Sequence, residues 1–508
     1  MTNTIQTKET GPSRLSWASL TGGLGGTQRK STSPTSLLLP LLSVLSLLPG
    51  CAVGPNYQRP KVNAPTEYRS AEGAAQQASL ADLPWWEVFK DDRLKNLVQT
   101  ALANNYDLRI AVTRIEQARQ IAAQARAQYF PFVNYQATAS NGKNEFAGSV
   151  VPSGGGKERG TFVGVATVAW EADVWGRLRR ENEAARAQYL ATEEARRGVM
   201  LSLVSDVAQA YFELLGLDLE LDIARQTTDS FTQTLKLFTE RLEGGVSSKL
   251  DTSRAAGALA TAAASIPELE RQIAIKENQI SVLLGNNPSP VPHTAKLLEQ
   301  VVPPDVPVGL PSALLERRPD ILTAEQQLRS ANAQVGIATA NFFPQVGLTS
   351  LLGRASSPLS LLSSGQSTVW SIAGNVAGPI YQGGALRAQK RQSVAFWEQT
   401  KLQYEQTAQV AFQDVSDALV SRQKYEAVRD EQARAVEAYQ ESVKVSFQRY
   451  VAGKASYFEV LDAQLQLYPA QNALALTELN RRTVIVQLYK ALGGGWNLKD
   501  PEWTGPPS

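Results

Sequence analysis

Cys51 is the residue whose surroundings most clearly predict a covalent modification. It is the one cysteine among 508 residues, and it follows a short apolar run, 37–48, that comes after Arg29 and Lys30. A positive segment, about 12 apolar residues and a small residue before the cleavage point are typical of a secretory signal peptide, and such a run is too short to span a bilayer. We therefore expect residues 1–50 to be a lipoprotein-type signal peptide.

The new amino terminus at Cys51 is expected to carry lipid. The thiol would bear a thioether-linked diacylglycerol and the amino group a further acyl chain, such as palmitate. Several buried acyl chains hold a protein on a membrane more firmly than one chain does. The alternative is an unmodified, buried Cys51 thiol.

Few other side chains offer chemistry of their own. His293 is the only histidine, lies in a proline-rich stretch and is expected to be a solvated loop residue, and the methionines are Met1 and Met200. With Cys51 lipidated, no thiol is left for disulfides or thiolate metal sites, and no metal site is expected. No nucleophile stands with a base, and the run at Gly154 lacks the Ser or Thr of a phosphate loop. The sequence predicts neither an enzyme nor a bound cofactor.

The charge balance argues against nucleic acid as a partner. Removal of residues 1–50 takes away four basic residues and one acidic residue, which leaves 46 basic and 47 acidic side chains. Binding to phosphates needs clustered Lys and Arg, and this nearly neutral chain has no basic block.

The mature chain contains an internal repeat. A shift of 213 residues places 106–131 on 319–344, and both segments end in two aromatic residues and a proline. A shift of 208 superimposes further pairs: Gly245 on Gly453, Ser248 on Ser456 and Asp251 on Glu459. A period this long indicates a duplicated domain and not a solenoid, whose repeats are about 20 to 50 residues. We expect a lipidated segment 51–100, a first repeat 101–290, a Pro-rich connector 291–318, a second repeat 319–495 and a tail 496–508.

Each repeat is expected to contain one very long helix. Residues 179–243 and 387–452 contain no proline. At 1.5 Å per residue, such a stretch makes a helix of roughly 100 Å, several times the usual length. Apolar residues with 3-4-3 spacing, suited to coiled-coil packing, occur at Val204, Val207, Tyr211 and Leu214.

Four shorter segments are rich in Val, Thr, Gly and aromatic residues, as strands are. They are 133–140, 161–170, 346–352 and 368–381, and Gly/Ser-rich loops are expected at 141–160 and 353–367. We interpret them as two hairpins, one in each repeat. On the strands alone, a soluble hairpin is an equally good interpretation.

A lipid-anchored chain with four strands cannot cross hydrocarbon alone, because unpaired strand edges are too costly there. Two copies would supply eight strands and three copies twelve, and both numbers occur among bacterial barrels. The helices are too long for the membrane and would project into the periplasm.

Five motifs occur in order along the chain and resemble those of the outer-membrane factor family. These TolC-like proteins are the exit ducts of tripartite efflux systems, and the likeness is to the NodT/OprM-type lipoprotein branch. The motifs are GCAVGPNY at 50–57, WWEVF at 85–89, RRPDI at 317–321, GPIYQGG at 378–384 and the segment 449–464.

The resemblance implies a mainly α fold with a small transmembrane β-barrel. Four strands per chain would form one twelve-stranded barrel in a homotrimer, continuous with a periplasmic α-helical barrel. The implied function is a passive exit duct for drugs or other small toxic compounds, located in the outer membrane. The implied partners are a periplasmic adaptor protein and an inner-membrane RND pump, which supplies the energy.

The resemblance also implies a gate at the end of the helices farthest from the lipid. Phe458 would form an apolar constriction and Asp462 an acidic ring, with Glu459 as a possible second carboxylate. Their spacing puts Phe458 and Asp462 on one helix face, and an acidic ring favours cations. The alternative is that both carboxylates are solvated and favoured only by the helix dipole.

The two turns at this end are expected to contact the adaptor through Gly244, Gly245 and Gly453. Links that stabilise the closed gate are expected from residues beside the turns, namely Asp251, Arg254 and Tyr450. Two other functions stay open: an exit duct for protein secretion, and a lipid-anchored coiled-coil scaffold without a pore.

Overall fold

The structure is a computed structural model of the 508-residue chain, in which residues 52–70, 78–143, 145–146, 149–150, 158–293, 295–303 and 307–505 are described. The predicted signal peptide and Cys51 lie outside the described residues. The described part belongs to a single compact unit, Cys51–Ser508.

The two halves of this unit share the order helix, helix, strand, strand, long helix, helix, and the first half has one short helix and two short strands in addition. The first half consists of α1 (Trp85–Val88), α2 (Asp92–Asn104), α3 (Tyr106–Ala127), β1 (Phe132–Lys143), β2 (Glu145–Phe146), β3 (Ser149–Val150), β4 (Glu158–Ala172), α4 (Arg177–Glu243) and α5 (Lys249–Leu283). The second half consists of α6 (Pro311–Arg317), α7 (Pro319–Ala340), β5 (Gln345–Ser356), β6 (Thr368–Ala377), α8 (Ala385–Val451) and α9 (Tyr457–Ala491). The fold is mainly helical with a small four-stranded sheet, as expected. The short strands β2 and β3 were not expected, because they lie in the segment 141–160 that was predicted to be a loop.

The long helices α4 and α8 have 67 residues each, or roughly 100 Å. Each begins after a glycine with positive φ, Gly176 at 78° and Gly384 at 89°, which turns the chain from strand to helix. The four residues of the predicted apolar seam in α4 are completely buried. One window of α4 is apolar enough to cross a membrane, with a mean hydropathy of 1.2, but 67% of it is buried inside the protein.

Four of the strands form one antiparallel sheet in the order β1-β4-β5-β6, and β2 pairs only with β3. The two predicted hairpins are joined because β4 also pairs with β5, with Trp170 opposite Leu348. Three strands extend into segments expected to be loops, since β1 continues to Lys143, β4 begins at Glu158 and β5 continues to Ser356. The fourth predicted strand, 368–381, is too long, because β6 ends at Ala377 before Gly378 and Pro379, and proline has no N–H to donate to a neighbouring strand.

The largest hydrophobic core lies where the short helices pack on the middle of the long ones. Trp85, Tyr211 and Tyr489 are among its fully buried side chains. The C-terminal segment closes this core, since the Trp85 indole N–H donates to the carbonyl oxygen of Trp503 at 2.8 Å. Residues 496–505 of the predicted tail therefore belong to the packed body.

A buried carboxylate joins the last helix to its neighbours. Glu478 on α9 accepts hydrogen bonds from Arg429 on α8 at 3.0 Å, from Arg481 at 2.8 Å and from Arg482 at 2.7 Å. Arg482 also donates to the carbonyl oxygen of Gln300 in the connector at 3.2 Å. Burial alone raises the pKa of a carboxyl group, but these arginines lower the pKa of Glu478 below its usual value.

His293 is not the solvated residue that its proline-rich surroundings predict. Its Nε2 atom lies 2.8 Å from the Asp218 carboxylate on α4, and its Nδ1 atom lies 2.6 Å from the carbonyl oxygen of Val291. This ring fastens the connector to α4, a contact between segments far apart in sequence that local composition cannot indicate.

Candidate functional site

The first residues after Cys51 cross both repeats, and we call residues 52–59 the strap. The Val53 N–H donates to the carbonyl oxygen of Trp175 at 3.0 Å. Arg180 on α4 donates to the Asn56 side chain at 2.8 Å, and Asn332 on α7 donates to the carbonyl oxygen of Pro55 at 3.0 Å. The strap therefore begins where β4 passes into α4.

The packing of the strap depends on glycine. A Cβ atom at Gly176 would lie 2.6 Å from Ala52 Cα, and one at Gly54 would lie 2.5 Å from Gly336 Cα. Gly54 also has φ of +93°, which L side chains rarely adopt. These glycines bring the start of the strap against the junction of sheet and helices.

One face of the sheet is apolar and exposed. Directly opposed residues in a sheet share a face, so the register Val133↔Val168, Trp170↔Leu348 and Leu352↔Trp370 assigns this face. Its outer members are between 62% and 89% exposed: Val133, Tyr135, Leu352, Trp370, Ile372 and Val376. A soluble protein rarely leaves such a contiguous apolar surface uncovered, which indicates contact with lipid or with another protein.

The other face of the sheet is more polar. Its members include Asn134, Gln136, Thr138, Thr167, Glu171, Thr349, Ser371 and Asn375, interspersed with Val163 and Val165. Near the helices, Arg177 donates to Glu171 at 2.6 Å and to Glu181 at 2.5 Å. Alternation of apolar and polar faces is the pattern of a strand between lipid and a water-filled lumen.

The outer strands of this sheet are β1 and β6, and each has one neighbour in the sheet. Their outward N–H and C=O groups are available for a further strand, and in hydrocarbon they must be paired. The sheet can therefore enter a membrane only if another chain completes it.

The far end of the long helices, roughly 100 Å from the sheet, consists of two matching turns, which we call the tip. Gly245 has φ of 75° and Gly453 has φ of 70°. The Val246 N–H donates to the carbonyl oxygen of Arg241 at 2.9 Å, and the Lys454 N–H donates in the same way to Arg449. Gly244, Gly245 and Gly453 are exposed, so these turns are accessible to a partner.

Phe458, Glu459 and Asp462 lie at the start of α9 and point away from the body. All three are exposed, with Phe458 at 59%, whereas their neighbours Tyr457 and Val460 are buried. The Glu459 carboxylate lies 3.5 Å from Arg449 Nε. Within the described part of the chain, Asp462 has no hydrogen bond or ion pair.

The predicted stabilising residues have different surroundings. Asp251 forms a capping box with Ser248 at the start of α5, where its carboxylate accepts from the Ser248 hydroxyl at 2.7 Å. The Arg254 guanidinium lies 6.0 Å from the centre of the Phe458 ring, within the range of a weak cation–π contact. Arg254 is thus beside the expected constriction, whereas Asp251 stabilises its own helix.

Tyr450 belongs to an aromatic cluster that joins three helices of the tip. Its ring centre lies 5.3 Å from that of Phe238 and 6.4 Å from that of Tyr457, and Arg241 stacks on it at 4.7 Å. Burial and the nearby Asp251 charge raise the pKa of Tyr457 to about 12, so this phenol stays neutral. The cluster is apolar in character and packs α4, α8 and α9 together.

Four residues of the tip were not predicted from the sequence as site residues: Arg449, Arg241, Phe238 and Tyr457. The repeat could have indicated the first two, because a shift of 208 residues places Arg241 on Arg449. The repeat mates nevertheless differ in contacts, since Arg241 stacks on Tyr450 and Arg449 pairs with Glu459.

The chain is similar to known outer membrane efflux proteins over most of its length. The family model for the outer membrane efflux protein matches residues 97–286 and 310–494. The toluene efflux pump outer membrane protein TtgI of Pseudomonas putida is 36% identical over 467 residues, which are 91% of this chain and 98% of TtgI. The cation efflux system protein CusC of Escherichia coli is 33% identical over 468 residues, which are 90% of this chain and 98% of CusC.

Solved structures show the same fold. The open state of the Neisseria gonorrhoeae MtrE outer membrane channel has a TM-score of 0.79 and 29% identity, and covers 88% of this chain and 99% of its own. The outer-membrane channel OprN has a TM-score of 0.79 and 30% identity, and covers 88% of this chain and all of its own.

Proposed function

Because the chain belongs to the outer membrane efflux protein family, we propose that it is the outer-membrane channel of a tripartite efflux system. It serves as a passive exit duct for drugs or other small toxic compounds. The observation that carries this proposal is the sheet with one exposed apolar face and two unpaired edges. A coiled-coil scaffold without a pore does not need a sheet with an exposed apolar face and edges open to further strands.

Closure of the barrel requires copies of this chain. In a homotrimer, β6 of one copy pairs with β1 of the next, and three sheets of four strands give twelve strands. This number lies in the even-numbered range of bacterial barrels, and pairing removes every edge from the hydrocarbon. The helices extend from the barrel into the periplasm as a tube.

The gate of this duct is formed at the tip. In a trimer, Phe458 becomes an apolar ring and Asp462 an acidic ring one helical turn farther along α9. Asp462 is the stronger candidate for binding a cation, because its carboxylate is unpaired within the described residues, whereas Glu459 is paired with Arg449. Arg254 makes a weak cation–π contact with the Phe458 ring. Tyr450 packs α4, α8 and α9 together.

The tip is the end that docks with a periplasmic adaptor, through the turns at Gly244, Gly245 and Gly453. An inner-membrane RND pump supplies the energy. The names of relatives such as TtgI and CusC refer to toluene and to cations. Such different compounds are compatible with a passive duct in which the pump, and not the duct, selects the compound that is exported.

We also propose that Cys51 carries lipid. Support comes from the strap, whose first described residue, Ala52, packs at the junction of sheet and helices, where a membrane surface would meet a barrel. The Cys51→Ser variant should lose labelling by radioactive palmitate. Unchanged labelling would refute the assignment.

The central test is single-channel conductance of the purified protein in a planar bilayer. We expect a small, cation-preferring current that divalent cations block, and an Asp462→Asn variant that loses the block. An Asp107→Asn variant, which changes an exposed carboxylate on α3, should behave as the wild type. A folded trimer that gives no current would favour the scaffold.

Efflux and protein secretion are separated in cells. A deletion strain should become more susceptible to small toxic compounds while its set of secreted proteins stays the same. The reverse pattern would assign the duct to secretion.

A further inference from the structure

Arg354 is an isolated charge on the second hairpin. It is the only charged residue between Arg329 and Arg387 in the sequence. It lies near the C-terminal end of β5, at the end of the sheet that is farther from the helices. Neither the pairing of the strands nor the packing of the helices needs a positive charge at this position.

The strand register places Arg354 on the apolar face of the sheet. It is opposite Gly164 on β4 and Thr368 on β6, and opposed residues share a face. Leu352 and Trp370, one position nearer the helices on the same face, are exposed and apolar. In the barrel proposed above, Arg354 therefore faces lipid and not the lumen.

Its height on the strand places it at the rim of the apolar band. Val346 begins this face of β5 at the helix end, and Arg354 follows it by eight positions, or about 27 Å along the strand. Strands tilted by about 40° reduce this to roughly 20 Å across the membrane, close to the band height of about 25 Å. A lone Arg costs about 2–4 kcal/mol at the bilayer midplane but about 0–1 kcal/mol at the interface.

The Arg354 guanidinium has no acidic partner within the described residues. Its Nη1 atom donates to the carbonyl oxygen of Leu362 at 3.2 Å, and the segment 345–381 contains no Asp or Glu. The other N–H groups are free for an external acceptor. Charge complementarity therefore calls for an anion.

The surroundings leave room for such an anion and for an acyl chain. No atom lies within 4 Å of a Cβ built on Gly164, directly opposite Arg354. The loop after β5 presents Leu359 and Leu361, which are 61% and 50% exposed. A phosphate with attached acyl chains fits a cation at the membrane rim with apolar side chains beside it.

We propose that Arg354 and its surroundings bind a phosphate group of a phosphorylated glycolipid in the outer leaflet of the membrane. The site rests on the proposed function, because it exists only if the sheet forms a membrane barrel with its loops outward. It gives the barrel a fixed depth in the membrane, since a bound headgroup holds Arg354 at the interface. Three copies of the site lie around a trimer.

The test measures lipid binding to the purified trimer in detergent by native mass spectrometry. The probes are bisphosphorylated lipid A, fully dephosphorylated lipid A and phosphatidylglycerol. Since a basic residue near a membrane surface contributes about 1 kcal/mol, the Arg354→Gln variant should bind bisphosphorylated lipid A about fivefold more weakly. Arg354→Lys should retain part of the affinity, and all forms should bind dephosphorylated lipid A alike.

The matched control is Arg387→Gln, which removes an exposed arginine in the first turn of α8 and should leave lipid A binding unchanged. Equal binding by wild type and Arg354→Gln would overturn the proposal, as would an equal dependence of phosphatidylglycerol binding on Arg354. If Arg354→Gln does not assemble, Thr368→Glu decides, because it places a carboxylate directly opposite Arg354; it should weaken binding of bisphosphorylated lipid A, and unchanged binding would overturn the proposal. Conductance of the same preparations separates failure of this site from failure of the channel.

Discussion

The Nε atom of Arg449 lies 3.5 Å from the carboxylate of Glu459, on the other side of the second tip turn. Asp251, the repeat mate of Glu459, instead accepts hydrogen bonds from the hydroxyl and N–H groups of Ser248 at the start of its own helix. Ser456, the repeat mate of Ser248, makes no capping hydrogen bond. The first turn of α5 is thus capped, whereas the first turn of α9 is held by an ion pair.

This difference predicts unequal effects of the same substitution. Ser248→Ala should destabilise the start of α5 by about 1 kcal/mol, the usual contribution of an N-cap side chain. Ser456→Ala should change the start of α9 by less than about 0.5 kcal/mol. Hydrogen exchange of the first-turn amides measures both, and equal effects would show that the two turns are capped alike.

The Arg449→Gln variant should open the duct more often. Loss of the ion pair frees the start of α9, and an exposed ion pair contributes at most about 1 kcal/mol, so open probability should rise by about fivefold or less. Single-channel recording measures the open probability, and the increase caused by the substitution should be smaller at high salt. The control is Arg434→Gln, which breaks an exposed ion pair with Glu431 on α8. If both variants raise the open probability equally, the ion pair of Arg449 does not control the gate.

Glu478 should make stability depend on acid pH. Its pKa is lower in the folded chain than in the unfolded one, so its contribution is full above the unfolded value of about 4.3 and is lost as pH falls through the folded value. Glu478→Gln should cost about 3 kcal/mol at pH 7, because it removes the carboxylate partner of the buried Arg482. Urea unfolding at pH 7 and at lower pH should show a difference from wild type that shrinks in acid.

The control for this variant is Glu431→Gln on α8, whose carboxylate is exposed. It should change the free energy of unfolding by less than about 1 kcal/mol. A cost for Glu478→Gln that stays constant down to acid pH would mean that the carboxylate contributes through its shape and not its charge.

Gly54→Ala should release the strap from the body. The added Cβ would meet Gly336 Cα at 2.5 Å, and the positive φ at Gly54 adds strain. Limited proteolysis should then cut within 52–59 faster than in wild type. Gly257→Ala on α5, where no atom lies within 4 Å, should leave cleavage unchanged and stabilise the helix by up to about 1 kcal/mol.

The sequence predicted the long helices well because the signal is local. An absence of proline over 60 residues and apolar residues such as Val204 and Tyr211 at helical spacing need no knowledge of the fold. Strand ends were harder to predict, because β1 and β4 are extended to Lys143 and Glu158 by pairing with each other. Such pairing lets strands continue through glycine and serine that would otherwise form loops.

The gate residues come from the repeat and the motifs, and they stay a prediction. Phe458 and Asp462 are exposed at the tip, whereas the contact of Glu459 with Arg449 was not predicted. The side chain of Glu is one methylene longer than that of Asp251, and Arg449 is within reach across the turn. Contacts across a turn depend on side-chain length and direction, which a sequence shift of 208 residues does not reveal.

The strap sets an order of events during assembly. Its Pro55 carbonyl oxygen accepts a hydrogen bond from Asn332, 277 positions later in the chain, so its docking site, which α4 supplies in part, is incomplete until α7 is in place. The strap is therefore fully seated only after this helix of the second repeat has docked.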